Sequence, residues 1–240
     1  MELRGGRYHD ATRGEHERQQ QTGHQIEDGH RIPFYVAQAV KSSIFGRPGA
    51  VYLDFPDDII RQECDEDKVE EAETVGEPPR AFTDPALVEE ALTALEGAER
   101  PLVIVGKGMA WARAEDEVRE FIERTQLPFL ASPMGKGVMP DEDPLSVGAA
   151  RSLALKEADV VLLMGARLNW IMHFGLPPRF NKDVKVIQLD INPEEIGRNV
   201  PAEVALVGDG RAVTSQLNRA LRSEEHTSEL QSQFRISYAV

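Results

Sequence analysis

Charged residues stand where apolar runs give way to turns. Arg47 in GRPG precedes the run AVYLDF, Lys107 lies between Gly106 and Gly108 directly after PLVIVG, and Arg167 follows DVVLLMGA. Asp190 ends VKVIQLD, and Asp209 follows EVALVG and precedes Gly210. Guanidinium and ammonium groups meet phosphate oxygens, and a carboxylate at a strand end accepts hydrogen bonds from ribose hydroxyls. This set of cations and carboxylates therefore suits a nucleotide. Arg167 precedes Asp190 by roughly 20 residues, close to the separation between the first turn and the ribose-binding acid of a dinucleotide fold. Neither GARLNW nor GKGMAW completes G-x-G-x-x-G, and the same side chains could instead cap helices or pair with each other.

Other chemistry finds less support. The sequence holds no Ser-His-Asp order, no H-E-x-x-H and no C-x-x-C, and His173 sits among Ile171, Met172 and Phe174, which favours an ordinary packed or loop histidine over a catalytic base. His9, His16, His24 and His30 share no usual ligand spacing and no helical face, so no metal site is expected from them. Residues 1–30 carry few branched apolar side chains and are expected not to order.

The elements that must position the charged residues follow from periodicity. Phe34, Ala37, Val40 and Ile44 recur at helical spacing, and Ala50 to Phe55 reads as a buried strand. Residues 61–80 hold eight acids against three bases and end in GEPPR, which is linker chemistry and marks a domain boundary. Asp84 then caps and Pro85 opens a helix with Val88, Ala91, Leu92 and Leu95 on one face. PLVIVG is an apolar run of the kind a parallel strand buried on both faces needs, and one helix with Ala114, Val118, Phe121 and Ile122 inward follows it. Strands are expected over 127–132, 159–165, 184–190 and 203–208, with helices over 149–158, 193–199 and 211–221. Strands alternating with helices imply an α/β fold with a doubly wound parallel sheet, whose ligand crevice lies at the C-terminal ends of the strands.

Composition narrows the partners. With 27 basic and 41 acidic side chains the net charge is −14 at pH 7, which argues against a nucleic-acid groove or an anionic membrane surface. The run from Val160 to Ala166 is far shorter than the roughly 20 apolar residues a membrane helix needs. The single Cys64 excludes an internal disulfide, and the opening MELRGGRYHD has no apolar core of a secretory signal, so a soluble cytoplasmic protein is expected. The residues from Arg222 onward have no periodicity. RSEEHTSELQS resembles the in-frame reading of a sequencing-library adapter, and 222–240 is expected to lie outside the fold.

Several segments together carry a resemblance: RIPFYVAQAV with GRPGAVYLDFP, PLVIVGKGMAWARAED, LPFLASPMGKGVMPD, VGAARSLAL, GARLNWIMHFGLPPRF and VIQLDINPEEIG. From Ile32 to Leu221 the chain resembles the thiamine diphosphate-dependent enzymes, and within them the 2-hydroxyacyl-CoA lyase and oxalyl-CoA decarboxylase group. GARLNW and HFGLPPRF favour the lyase over the decarboxylase and over acetolactate synthase relatives. The resemblance implies the C-terminal end of a pyrimidine-binding domain over 31–60, an acidic linker over 61–80 and a Rossmann-like central domain over 81–221. It implies a full-length enzyme that uses thiamine diphosphate and magnesium to cleave a 2-hydroxyacyl-CoA into an aldehyde and formyl-CoA. The catalytic glutamate and the diphosphate-binding domain have no counterpart in this stretch. Gly208-Asp209-Gly210 looks like the family's magnesium motif, but the asparagine that motif needs some way downstream is absent after Asn218.

In the oxalyl-CoA relatives the central domain binds ADP, and the matching positions are Arg47, Lys107, Arg167, Asp190, Asp209 and Gly210. The loop Gly148, Ala149, Ala150, Arg151 and Ser152 matches one that lines the CoA moiety, with Arg151 near a CoA phosphate. An acyl-CoA substrate and a homo-oligomer are implied in the same way. A freestanding nucleotide-binding module is the alternative from another class.

Overall fold

In the computed structural model, residues 23–69, 71–72 and 74–222 are described. The chain divides into two compact units, Met1–Pro79 and Arg80–Val240. In the first, strand β1 (Gly23–Gln25) pairs in parallel with β2 (Tyr52–Asp54), and helices α1 (Ile32–Ile44) and α2 (Asp57–Ile60) flank β2 in the chain. The expectation that residues 1–30 do not order therefore needs correction at 23–30. Ile26 is fully buried, Gly29 donates its N–H to Gln62 Oε1 at 2.8 Å, and His30 Nε2 accepts from the Asp65 N–H at 3.2 Å. A run of three strand residues is too short to show alternation, which is why composition alone misled. The Asp28 carboxyl, bonded to the His30 ring at 2.9 Å, is held below the ordinary carboxylate range. His9 and His16 lie outside the described residues, and among the described residues no cluster of His, Cys, Asp or Glu could hold a metal ion.

The AVYLDF strand, expected to be buried, is largely exposed: Tyr52 is open at 57%, and Phe34, Val40 and Ile44 on α1 are exposed too. Two strands of three residues and one long helix enclose too little volume to cover an apolar face, since a stable sheet needs three or more strands or a packed layer. Within α1 only Ala39 is buried.

The second unit is built on a five-stranded, wholly parallel sheet in the order β4-β3-β5-β6-β7. Its strands are β3 (Pro101–Val105), β4 (Phe129–Ala131), β5 (Val160–Met164), β6 (Lys185–Asp190) and β7 (Val204–Val207). Every residue of β3 and β5 is buried, as continuous apolar runs require when both faces are covered. Val103, Val105, Leu162 and Met164 face one core, shared with helices α3 (Pro85–Glu96), α4 (Lys107–Ala112), α5 (Glu115–Thr125) and α7 (Gly210–Leu221). Leu102, Ile104, Val161 and Leu163 face the other, closed by α6 (Arg151–Glu157) and by the turns around Met172 and Phe180.

The Asp84 carboxylate accepts from the Ala86 N–H at 2.9 Å, capping α3 as its sequence demands. The single helix expected after GKG is two. Arg113 adopts the left-handed conformation at φ 52°, and Ala114 bonds back to the Met109 carbonyl at 3.1 Å, so α4 ends and α5 restarts on a new axis. The short helix expected over 193–199 is a 3-10 turn, Pro193–Glu195. No helix among the described residues is long and apolar enough to cross a membrane.

The entry of the chain into this unit is clasped by α7. Asp209 caps the helix by accepting from the Ala212 N–H at 3.0 Å, and Arg80 Nη1 reaches both oxygens of the same carboxylate at 3.1 and 3.2 Å and the Ala112 carbonyl at 2.9 Å. Asp209 also donates its backbone N–H to the Ala81 carbonyl, and Gln216 bonds both the N–H and the carbonyl of Thr83. At the other end Arg222 donates to Glu120 Oε1 on α5 at 2.6 Å, and Arg124 donates to the same oxygen at 2.8 Å.

Replacing Asp209 by Ala removes a helix cap and half of an ion pair, and is expected to lower stability by about 2 kcal/mol in urea unfolding. Arg222 holds the Glu120 carboxyl below its ordinary pKa, so the stability it adds is present above the unfolded-state value and fades as pH falls through the folded one. The melting-temperature gap between wild type and Arg222→Ala should therefore be present at neutral pH and close in acid; a gap that widens in acid would contradict this pairing.

Candidate functional site

From β3 the chain runs outward to β4, then returns to the other side of β3 to lay down β5, β6 and β7. Strand order thus reverses between β3 and β5, and the crevice beyond their C-terminal ends is where open α/β sheets take ligands. The two loops at that point are Gly106-Lys107-Gly108 and Gly165-Ala166-Arg167. They touch through backbone: the Gly106 N–H donates to the Met164 carbonyl at 2.8 Å and the Gly108 N–H to the Gly165 carbonyl at 2.9 Å. A Cβ on Gly106 would stand 2.2 Å from the Gly165 oxygen, and one on Gly108 would stand 2.7 Å from the Gly165 Cα. Gly165 itself has φ +59°, a conformation open to glycine and strained for other residues. These glycines therefore allow loop to lie on loop, which brings the bases of Lys107 and Arg167 together.

Lys107 is exposed, with Nζ 5.3 Å from the centre of the Trp111 ring one helical turn later, a cation–π contact beside solvent. The Arg167 side chain is half exposed, and its Nη1 lies 3.5 Å from Glu195 Oε1. Asp190 ends β6 half-buried, its Oδ1 accepting from the Asn192 N–H at 2.9 Å. Its carbonyl accepts from the Gly208 N–H at 3.0 Å, tying the end of β6 to that of β7. Lys107, Arg167, Asp190 and Asp209 thus sit at or just beyond the C-terminal ends of β3, β5, β6 and β7. Asp209 differs from the other three, because its buried carboxylate is engaged by Arg80 and the α7 cap, and Gly210 opens that helix against Met109. Arg47 belongs to the first unit, in the turn between α1 and β2 that Gly46 makes with φ +62°.

The loop matched to CoA is divided in the same way. Gly148, Ala149, Ala150 and Ser152 are exposed, whereas Arg151 donates through Nη2 to the Ile171 carbonyl at 2.7 Å and approaches Met172 Sδ at 3.3 Å. That guanidinium pins the Trp170–Gly175 turn, in which His173 and Phe174 both take positive φ. Sequence reading missed Glu195, Arg198 and Gln188. The signal available was Gln188, a polar residue inside the apolar run VKVIQLD.

A family model for the central domain of thiamine pyrophosphate enzymes matches residues 88–217. The chain belongs to that family. It is 51% identical over 186 residues to 2-hydroxyacyl-CoA lyase 1 of Mus musculus, an alignment covering 78% of this chain and 32% of the relative. It is 50% identical over 186 residues to the Homo sapiens protein of the same name, with the same coverage. It is 46% identical over 176 residues to oxalyl-CoA decarboxylase of Escherichia coli (strain K12), covering 72% of this chain and 31% of the relative. The chain thus spans about a third of the length of these relatives. Among solved structures, benzoylformate decarboxylase from Polynucleobacter necessarius superimposes with a TM-score of 0.64 at 20% identity, over 82% of this chain and 37% of that one, which shows the shared fold.

Family membership implies thiamine diphosphate and magnesium in full-length relatives. The residues described here do not fit that pair. Asp209, the acid in the one Gly-Asp-Gly stretch, has both oxygens against the Arg80 guanidinium and one on a backbone N–H, so a metal ion would have to displace a cation already in place. No step of thiamine chemistry is therefore assigned to these side chains.

The glycine contact between the loops yields a direct test. Gly106→Ala drives a Cβ into backbone that cannot yield and should cost about 3 kcal/mol or more in urea unfolding. Gly97→Ala is the control: its nearest neighbour would be 3.5 Å away, and its stability should stay within about 1 kcal/mol of wild type.

Proposed function

We propose that this chain supplies the central domain of a thiamine diphosphate-dependent 2-hydroxyacyl-CoA lyase, and that the sheet edge at the β3/β5 reversal binds ADP. The observation that carries the nucleotide reading is the placement of Lys107 and Arg167 on two loops locked together by backbone, with the Asp190 carboxylate at the end of the neighbouring strand. The two cations neutralise phosphate oxygens. An ionised carboxylate accepts on both oxygens, which suits Asp190 at the strand end to a ribose hydroxyl donor. Asp209 enters this reading as the residue that fixes α7 and the end of β7, rather than as a nucleotide contact.

Identity of 51% and 50% to lyases supports the lyase reading, and 46% to oxalyl-CoA decarboxylase keeps that enzyme as the second reading. In either parent the acyl-CoA is the substrate, with the exposed Gly148, Ala149, Ala150 and Ser152 loop lining its CoA portion. The lyase product pair is an aldehyde and formyl-CoA. Thiamine diphosphate would be held by parts of the full-length homo-oligomer outside the residues described here, and would supply the electron sink that such a bond cleavage needs. Arg151 acts in this scheme by fixing the turn at Ile171 and Met172 that packs under α6.

Titration of the purified chain with ADP by calorimetry tests the site. Saturable binding is expected in the wild type, weakened about tenfold or more in Arg167→Ala and in Asp190→Ala, as loss of a charge-assisted bond implies. A folded wild type that takes up no ADP overturns the nucleotide reading.

A further inference from the structure

Beside the strand-end residues, the segment after β6 carries a polar cluster that they do not account for. Glu195 closes the Pro193–Glu195 turn with its side chain only 6% exposed. Burying a carboxylate costs several kcal/mol unless cations and hydrogen bonds compensate. Two cations meet it at one atom: Arg167 Nη1 lies 3.5 Å from Oε1, and Arg198 Nη1 lies 3.3 Å from the same oxygen. Both guanidiniums remain about half exposed, so the carboxylate is beneath and the cations are above.

The floor of this cluster is rigid. Gln188, buried in β6, donates Nε2 to the Glu195 carbonyl at 2.9 Å and accepts the Gly197 N–H at Oε1 at 3.0 Å. Asn192 caps the turn by accepting from the Glu194 N–H at 3.1 Å. Glu195 is therefore held by its own backbone, while Arg167 and Arg198 reach it from two different loops. Sharing one oxygen, their Nη1 atoms cannot be farther apart than the two contact distances laid end to end, a gap that one diphosphate can bridge. Two half-exposed guanidiniums therefore face solvent above one buried carboxylate. Each guanidinium has five N–H donors in a fixed plane, so anchoring one at Glu195 orients the others outward.

We propose that Glu195 is a positioning residue that gathers Arg167 and Arg198 into one anion cradle, and that Arg198 is a second phosphate ligand of the nucleotide site. The inference rests on the nucleotide reading above. Its test is ADP calorimetry on wild type, Arg198→Ala, Glu195→Gln and the double variant, at low and at high salt, with thermal melts of each. Each single variant is expected to weaken ADP binding about tenfold at low salt. The loss should shrink at high salt, because half-exposed guanidiniums acting on phosphate are screened. The double variant should lose much less than the product of the single losses, because both act through one contact. Wild-type affinity in Arg198→Ala and Glu195→Gln while the wild type binds ADP overturns the cradle alone, as does a loss that is the same at both salts. Absence of ADP binding to the wild type overturns the nucleotide reading and the cradle with it. Arg198 is on the surface, so its variant keeps the test decisive even where Glu195→Gln melts early.

Discussion

The contact between two loops without side chains governs the α/β unit. Gly106 and Gly108 lie against Gly165 so closely that a single Cβ on any of them would occupy backbone. Parallel strands are joined by hydrogen bonds only along their length, and their ends normally splay into loops that wander independently. Here the ladder continues past the strands, with Gly106 bonded to Met164, Gly108 to Gly165 and Gly165 to Leu189. The ends of β3, β5 and β6 behave as one rigid edge. Charged residues rooted in such an edge keep a fixed spacing, which is what recognition of a multiply charged ligand requires.

The same edge shows that charge at a strand end has two uses. Asp190 and Asp209 look alike in sequence, each closing an apolar strand run. Asp209 is buried, caps a helix and pairs with Arg80, which is 129 positions away in the chain. It joins the point where the chain enters the unit to the start of its last helix, and so stabilises the layer of helices on one face. Asp190 is half-buried and bonds the N–H of its own turn, which leaves it on the rim. Arg80 reaches Asp209 from far away in the chain, and no local pattern announces it.

That distinction separates what could be read in the sequence from what could not. The parallel sheet was legible because strands buried on both faces must be continuous apolar runs, and PLVIVG and DVVLLMG are such runs. Helix α3 was legible because Asp84-Pro85 is a local stop-and-start signal with its own hydrogen bond. The break at Arg113 was not, since WARAED contains neither glycine nor proline and the left-handed turn is imposed by packing rather than by preference. Strand β1 was hidden by its length. The exposure of AVYLDF was hidden because an apolar strand pattern states which face is apolar, and says nothing about whether another layer arrives to cover it.

Among the candidate site residues, Lys107 and Arg167 were singled out by type and place, while the carboxylate that meets Arg167 was not. Glu195 sits in PEEIGRN, which reads as a short helix, yet it is buried because Gln188 draws its backbone down onto the sheet. Gln188 could be placed in that strand by pattern, but its role depends on three-dimensional closure of a loop nine residues later. Burial then changes what Glu195 can do. An exposed carboxylate near an arginine is a weak, salt-screened partner, whereas a buried one holds a guanidinium in a set direction because every departure leaves a charge unanswered. The capacity of this edge to present cations in order is therefore a consequence of a neutral amide inside the sheet.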